Sequence, residues 1–155
     1  MPLPDGAVLA VTVADAFHWF ERPRALAEIR RVLRPGGGLA ILTTAPDATS
    51  ASWMAEVGAL MERLRPEHPH FDGAPWQDVV RGAGGWSEPR EIRVAGVQAA
   101  SAERFGDYLA SVSWIAALPA AERTATLAEI GAIIGAGETP AEMPVHVTIG
   151  LTRLT

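Results

Sequence analysis

The chain has 155 residues, 48% hydrophobic and 20% charged, which places it in the ordinary globular class with enough apolar surface for one sizeable core. Its formal charge of -5 supplies no general pull toward nucleic acid or an anionic membrane, and neither partner is expected. With no Cys there is no disulfide framework, thiolate nucleophile or thiolate metal site, a composition that fits a cytoplasmic protein. Lys is also absent, so every positive side chain is Arg, and no apolar run approaches the ~20 residues that span a bilayer.

Leu3 to Gly6 form a turn, and Val8 to Ala14 (VLAVTVA) follow as a continuous β-branched and apolar run. Such a run predicts a central strand of a parallel sheet, covered on both faces. Asp15 to Phe20 (DAFHWF) form a loop or short helical turn. From Arg24 to Leu33, Leu26, Ile29 and Leu33 share one helical face; Pro23 suits the helix start, and Pro35 to Gly38 (PGGG) end it. Leu39 to Thr44 (LAILTT) then predicts a second buried strand, which gives a strand-helix-strand unit.

Ser52 to Leu64 places Trp53, Val57, Leu60, Met61 and Leu64 at helical spacing. Pro66 to Pro75 is a polar, Pro-rich loop, Trp76 to Gly82 a short helix, and Arg90 to Val94 alternates as a strand does. A helix from Ser101 or Ala102 runs through Phe105, Tyr108, Leu109, Val112 and Ile115; Pro119 interrupts it before a second from Ala121 to Gly135. After the loop Gly137 to Pro144, Val145, Val147, Ile149 and Leu151 point to one side of a last strand, with His146, Thr148 and Thr152 on the other.

Taken together, VLAVTVADAFHWF, RPRALAEIRRVLRPGGGLAILTT, a helical insert and two late strands resemble the carboxyl-terminal part of a class I S-adenosylmethionine-dependent methyltransferase. The phrase Ala16 to Phe20 is similar to the small-molecule branch related to trans-aconitate methyltransferases. The resemblance implies an α/β fold: a partial Rossmann-like doubly wound sheet made of the later strands, closed by an antiparallel pair. Residues 1–155 would be a single partial domain, with Pro46 to Pro89 as a substrate-lid insert. The acidic, Gly-rich cofactor loop that ends the family's first strand has no counterpart here. Gly36 to Gly38 lie after a helix and before a strand, the reverse of the context such a loop needs. Met1 just precedes the turn into the first strand, so a fragment or truncated gene model is expected.

In a doubly wound sheet the reacting groups gather outside the carboxyl ends of the strands, which here means Ala14 to Trp19. The resemblance implies S-adenosylmethionine as cofactor, with Ala14, Asp15 and Phe17 beside it, His18 as the catalytic candidate and Trp19 facing a small-molecule substrate. For His18 two readings stay open: an anion ligand or base for a hydroxyl nucleophile, and a structural residue capping the loop. Phe17, Trp19 and Phe20 either line a pocket or pack in the core. His68 and His70, with Glu67 and Asp72 nearby, lie in a Pro-rich loop with no third ligand set by spacing, and no metal site is assigned. Trp53, Met54, Phe71 and Trp76 are the insert side chains that could meet a substrate, although helical spacing favours core packing for Trp53.

Two functions compete. One is methyl transfer to a small molecule by the full-length parent. The alternative is a non-catalytic module that self-associates, for instance as a homodimer, or binds a partner through an exposed first strand.

Overall fold

The computed structural model describes residues 1–47, 52–65, 73–99, 101–136 and 142–155. Four strands form one sheet in the order β1-β2-β4-β3: β1 is Val8–Ala14, β2 Leu33–Pro46, β3 Arg90–Ala99 and β4 Glu142–Arg153. With its helices this is the mixed α/β architecture expected from the sequence.

Helix α1 (Arg22–Val32) takes Pro in its first turn, where a missing N–H costs no helical bond, and buries Leu26, Ile29 and Val32. It stops earlier than the Pro-Gly-Gly segment. Leu33 is already extended, with φ −76° and ψ 140°, and Pro35 disfavours the helical region for Arg34. Pro35 to Gly38 therefore belong to β2 and are not the turn that ends the helix.

The segment enters β2 as an irregularity in a parallel ladder. Val8 opposes Leu33 and Ala10 opposes Gly38, so two steps along β1 match five along β2; from Ala10 to Ala14 the register is regular against Gly38 to Leu42. Gly36 holds φ +72°. At Gly37 a Cβ would lie 2.8 Å from the Arg34 carbonyl oxygen and 3.0 Å from that of Leu9, so only glycine lets these backbones approach.

The chain forms two compact units: Met1–Thr44 with Glu67–Val94 and Val147–Thr155, and Ala45–Pro66 with Ala95–His146. In the first unit, Val13, Phe17, Leu26, Ile29, Leu33, Leu39, Ile41 and Val80 form the core, with Trp76 and Trp86 packed against it. Val80 comes from helix α3 (Trp76–Ala83).

The second core joins helix α2 (Ser52–Leu64) to helix α4 (Ala102–Ser111) and helix α6 (Ala120–Ala136) through Trp53, Val57, Leu60, Phe105, Leu109, Ile130 and Ile134. Trp53 meets Phe105 edge to face at 5.1 Å between centroids, which bears out core packing for this residue. Ser101 caps α4 by accepting the N–H of Arg104 at 3.1 Å. The chain breaks at Val112 before the short helix α5 (Ser113–Ala116), and Tyr108 is exposed where its spacing suggested burial.

Two further expectations change. β1 is not covered on both faces: it pairs with β2 alone at the sheet edge, Val13 is buried, and Leu9 is 68% exposed. On β4, Thr152 is buried although it was placed opposite the apolar side; its hydroxyl donates to the Ser87 carbonyl at 2.8 Å, which satisfies it there. His146, on that same side of the strand, is half-buried and lies 3.2 Å from the Asp47 carboxylate.

Candidate functional site

The carboxyl ends of β1 and β2 are tied together by Asp15. It has φ 47°, in the left-handed region that few non-glycine residues adopt. Aspartate tolerates it because a short side chain can bond nearby backbone. The Asp15 N–H donates to the Leu42 carbonyl at 2.9 Å, continuing the ladder, and its Oδ1 accepts the Thr44 N–H at 3.0 Å. The backbone is thereby turned out of the sheet, and Phe17 to Trp19 follow as a single tight helical turn.

That turn forms one wall of a cleft of about 170 Å³. Asp15, Phe17 and His18 line it together with Arg22 at the start of α1, Thr43 of β2, and Trp76. Phe17 is only 4% exposed and its ring belongs to the first core, so it backs the cleft instead of projecting across it. Arg22 hydrogen-bonds through Nη1 to the carbonyl of Ala74, which joins the start of α1 to the segment before α3. Trp76 stands close to β4: a Cβ on Gly150 would fall 2.3 Å from its ring, so the glycine makes room for this wall.

Three of the five expected site residues, Asp15, Phe17 and His18, thus share one cleft. Ala14 and Trp19 do not line it. Ala14 is exposed on β1, and Trp19 lines an adjacent hollow of about 410 Å³ that also contains His18 and Arg22. Arg22, Thr43 and Gln77 were not singled out by sequence reasoning. Thr43 had a legible signal, since it is the penultimate residue of the predicted strand Leu39 to Thr44, next to another strand end. Arg22 had none, because only the fold shows that the first residue of α1 opens onto the same cleft.

Of the insert residues, Trp53 and Met54 are buried in the second core, Trp76 lines the cleft, and Phe71 lies outside the described residues. Glu67, His68, His70 and Asp72 also lie outside them. Among the described residues there is no group of three or more His, Asp or Glu able to hold a metal ion, and no helix is long and apolar enough to cross a membrane.

A protein-family model described as a methyltransferase domain matches residues 1–41, the segment that carries β1, the cleft turn and α1. The chain is 34% identical over 127 residues to an uncharacterised methyltransferase of Mycobacterium tuberculosis, covering 82% of this chain and 49% of that one. An uncharacterised methyltransferase-like protein of Schizosaccharomyces pombe is 31% identical over 133 residues, with 86% and 51% covered. The chain spans about half the length of the curated relatives it matches. Among solved structures, one assigned to a type II methyltransferase of Anaeromyxobacter dehalogenans superposes with a TM-score of 0.54 at 27% identity, covering 97% of this chain and 65% of that one.

Proposed function

We propose that this chain, which by sequence and fold is of the class I S-adenosylmethionine-dependent methyltransferase family, is the carboxyl-terminal, acceptor-side part of an enzyme that methylates a small molecule. The observation that carries the reading is the cleft outside the joined carboxyl ends of β1 and β2, where Asp15, Phe17 and His18 converge. When bound, the cofactor supplies an electrophilic methyl on a sulfonium; an acceptor lone pair forms the new bond as the carbon–sulfur pair returns to sulfur.

The cofactor fits this chain in part. A cleft of about 170 Å³ falls below the roughly 300–1,000 Å³ of sites that enclose a drug-sized ligand. The missing Gly-rich loop is the part that would approach the rest of the cofactor. Asp15 shapes the cleft floor, Ala14 leaves space at the strand end, Phe17 keeps water from the back wall, and His18 takes a proton from a hydroxyl acceptor or orients an anionic one. Trp19 borders the substrate. The resemblance to the trans-aconitate-related branch supports a small-molecule acceptor. A net charge of -5 supports the absence of a nucleic-acid or membrane partner, and the cysteine-free composition supports a cytoplasmic location.

S-adenosylhomocysteine titrated into the 155-residue chain, followed by amide NMR, tests the reading. Shifts confined to Ala14 to Trp19 and to Thr43 and Thr44 are expected, with weak affinity. A folded sample that shows no shift there at millimolar ligand overturns it for this chain.

One observation favours a second reading. β1 lies at the sheet edge with Leu9 exposed, so a non-catalytic module could self-associate or bind a partner strand there. A monodisperse monomer with a cooperative melt counts against it.

A further inference from the structure

Within the first unit the sheet is covered on one side and bare on the other. Val11, Val13, Leu39 and Ile41 share the first core with Leu26 and Ile29 of α1 and Val80 of α3. Side chains alternate along a strand, so Ala10 and Thr12 of β1, with Gly38, Ala40 and Leu42 of β2, point the opposite way. None of these is buried: Ala10 and Thr12 are exposed, and the three on β2 are half-buried. On β4, Gly150 faces Trp76, Thr152 bonds Ser87 and Leu154 packs on the first core, so Ile149, Leu151 and Arg153 lie on the bare side. On β3, Glu91 accepts a hydrogen bond from Gln77 of α3 at 3.0 Å, which leaves Arg90 and Ile92 on that side as well.

The bare side is apolar with a charged end. Ala10, Gly38, Ala40 and Leu151, together with Arg90 and Arg153, line a hollow of about 540 Å³, and no carboxylate among the described residues lines it. Neither guanidinium makes a hydrogen bond or an ion pair with another described residue. The hollow lies where Gly38 begins the regular ladder and the Leu154 N–H donates to the Gly37 carbonyl at 2.9 Å. Residues 48–51 follow the other end of β2, roughly 25 Å along the strand, where 137–141 also precede β4 and residue 100 follows β3. Residues 66–72 precede Gly73, which lines the cleft beyond the carboxyl end of β1. The hollow thus sits at the opposite end of the sheet from each of these segments.

An apolar sheet face is stable when a second layer covers it. Inside the sheet the backbone groups of β1, β2 and β4 already bond one another, so a covering segment must satisfy its own backbone, which a helix does and an extended segment does not. In a symmetric pair of copies the same patch meets itself, which sets Arg90 and Arg153 against their own like charges with no acid between them. A formal charge of -5 likewise disfavours an anionic lipid surface. Two unpaired guanidinium groups instead match carboxylates on the covering helix. About half the length of the matched relatives has no counterpart in this chain, which is polypeptide enough to supply one.

We propose that the bare face is a docking surface for an amphipathic helix of another polypeptide, its apolar stripe along Ala10, Ala40 and Leu151 and its carboxylates at Arg90 and Arg153. The docking is independent of methyl transfer at the cleft.

The probe is a helical peptide of about 18 residues, five turns long, with a stripe of Ala and Leu and two Glu at one end; the reference is the same peptide with Gln in their place. Each is titrated into the 155-residue chain and followed by amide NMR. Both are expected to shift Thr12, Ala40 and Leu151, with the Glu peptide about fivefold tighter, the ratio that two partly exposed ion pairs give. Arg90→Gln combined with Arg153→Gln should bring the two peptides level, and Thr12→Arg, at an exposed position, should block both. Circular dichroism of each variant separates lost docking from lost folding, and the wild-type comparison of the two peptides needs no variant. Absence of shifts on the bare face at millimolar peptide, equal affinity of the two peptides for the wild type, or a preference that survives the double arginine variant in a folded sample overturns the inference. So do concentration-dependent shifts of Thr12 and Ala40 without peptide, which make the occupant a second copy, and cosedimentation with phosphatidylglycerol vesicles, which makes it a lipid surface.

Discussion

The two edges of the sheet are built on opposite rules. β3 is exposed along its whole length and carries Arg90, Glu91 and Arg93, charges that discourage pairing with another chain. β1 carries no charge from Val8 to Ala14; Val13 is buried in the first core while Leu9 stands out in solvent. A strand whose composition suits burial thus occupies a position whose composition should resemble that of β3. The difference shows that edge or centre is decided by what lies beside a strand, whereas the residues record only what environment they suit.

The largest effect should come from the covered side of β1. Leu26→Ala, in the core that includes Val13, is expected to cost about 2–5 kcal/mol in chemical denaturation. Ile92→Ala on β3 should stay within about 0.5 kcal/mol, because its side chain is already half in water. Equal losses at the two sites would erase the contrast between the edges.

Gly37→Ala tests the irregular start of the β1–β2 ladder. The added Cβ meets backbone oxygens that cannot rotate away, and a loss of about 1–3 kcal/mol is expected from the melting midpoint. Gly106→Ala, whose Cβ would meet nothing within 4 Å, is the control and should not destabilise.

A smaller effect is expected at α1, which covers β1. The Glu28 carboxyl is held down at about 2, against an ordinary 4.5, chiefly by its hydrogen bond from Arg31 and next by that from the terminal amine of Met1. Because the folded value is the lower one, this pair stabilises the fold above about pH 4.5, and its contribution fades as pH falls toward 2. The decline with pH of the urea midpoint should be shallower in Glu28→Gln across that window. An unchanged slope would show that the pair does not contribute in solution.

The smallest change in stability belongs to the most telling substitution. Leu9→Lys should leave the melt within about 0.5 kcal/mol yet reduce self-association in sedimentation velocity, while Val97→Lys on β3 should leave association unchanged. Loss of association from both variants would place the contact elsewhere.

Local patterning made most elements legible. Ser52 to Leu64 was readable as a helix because Trp53, Val57 and Leu60 recur at helical spacing, and the structure buries those three. The end of α1 was less legible: the glycines of Pro35 to Gly38 look like a turn, whereas Pro35 alone already forces Arg34 out of the helix and leaves the glycines to β2. At the site, the turn Asp15 to Trp19 was legible from its place after a strand. Trp76 was also named from the sequence, whereas Arg22 and Gln77 were gathered only by the fold, from segments more than 50 residues apart.

The sequence by itself determined the α/β class and marked the turn that follows β1, because periodicity, proline and glycine act on neighbouring residues and leave their mark in local order. The tertiary structure alone decided that Asp15 takes the left-handed turn binding two strand ends, and that Arg22 and His18 line both the cleft and the hollow beside it. Each of those depends on which distant segments are brought together, and contacts between distant segments leave no spacing rule in the chain.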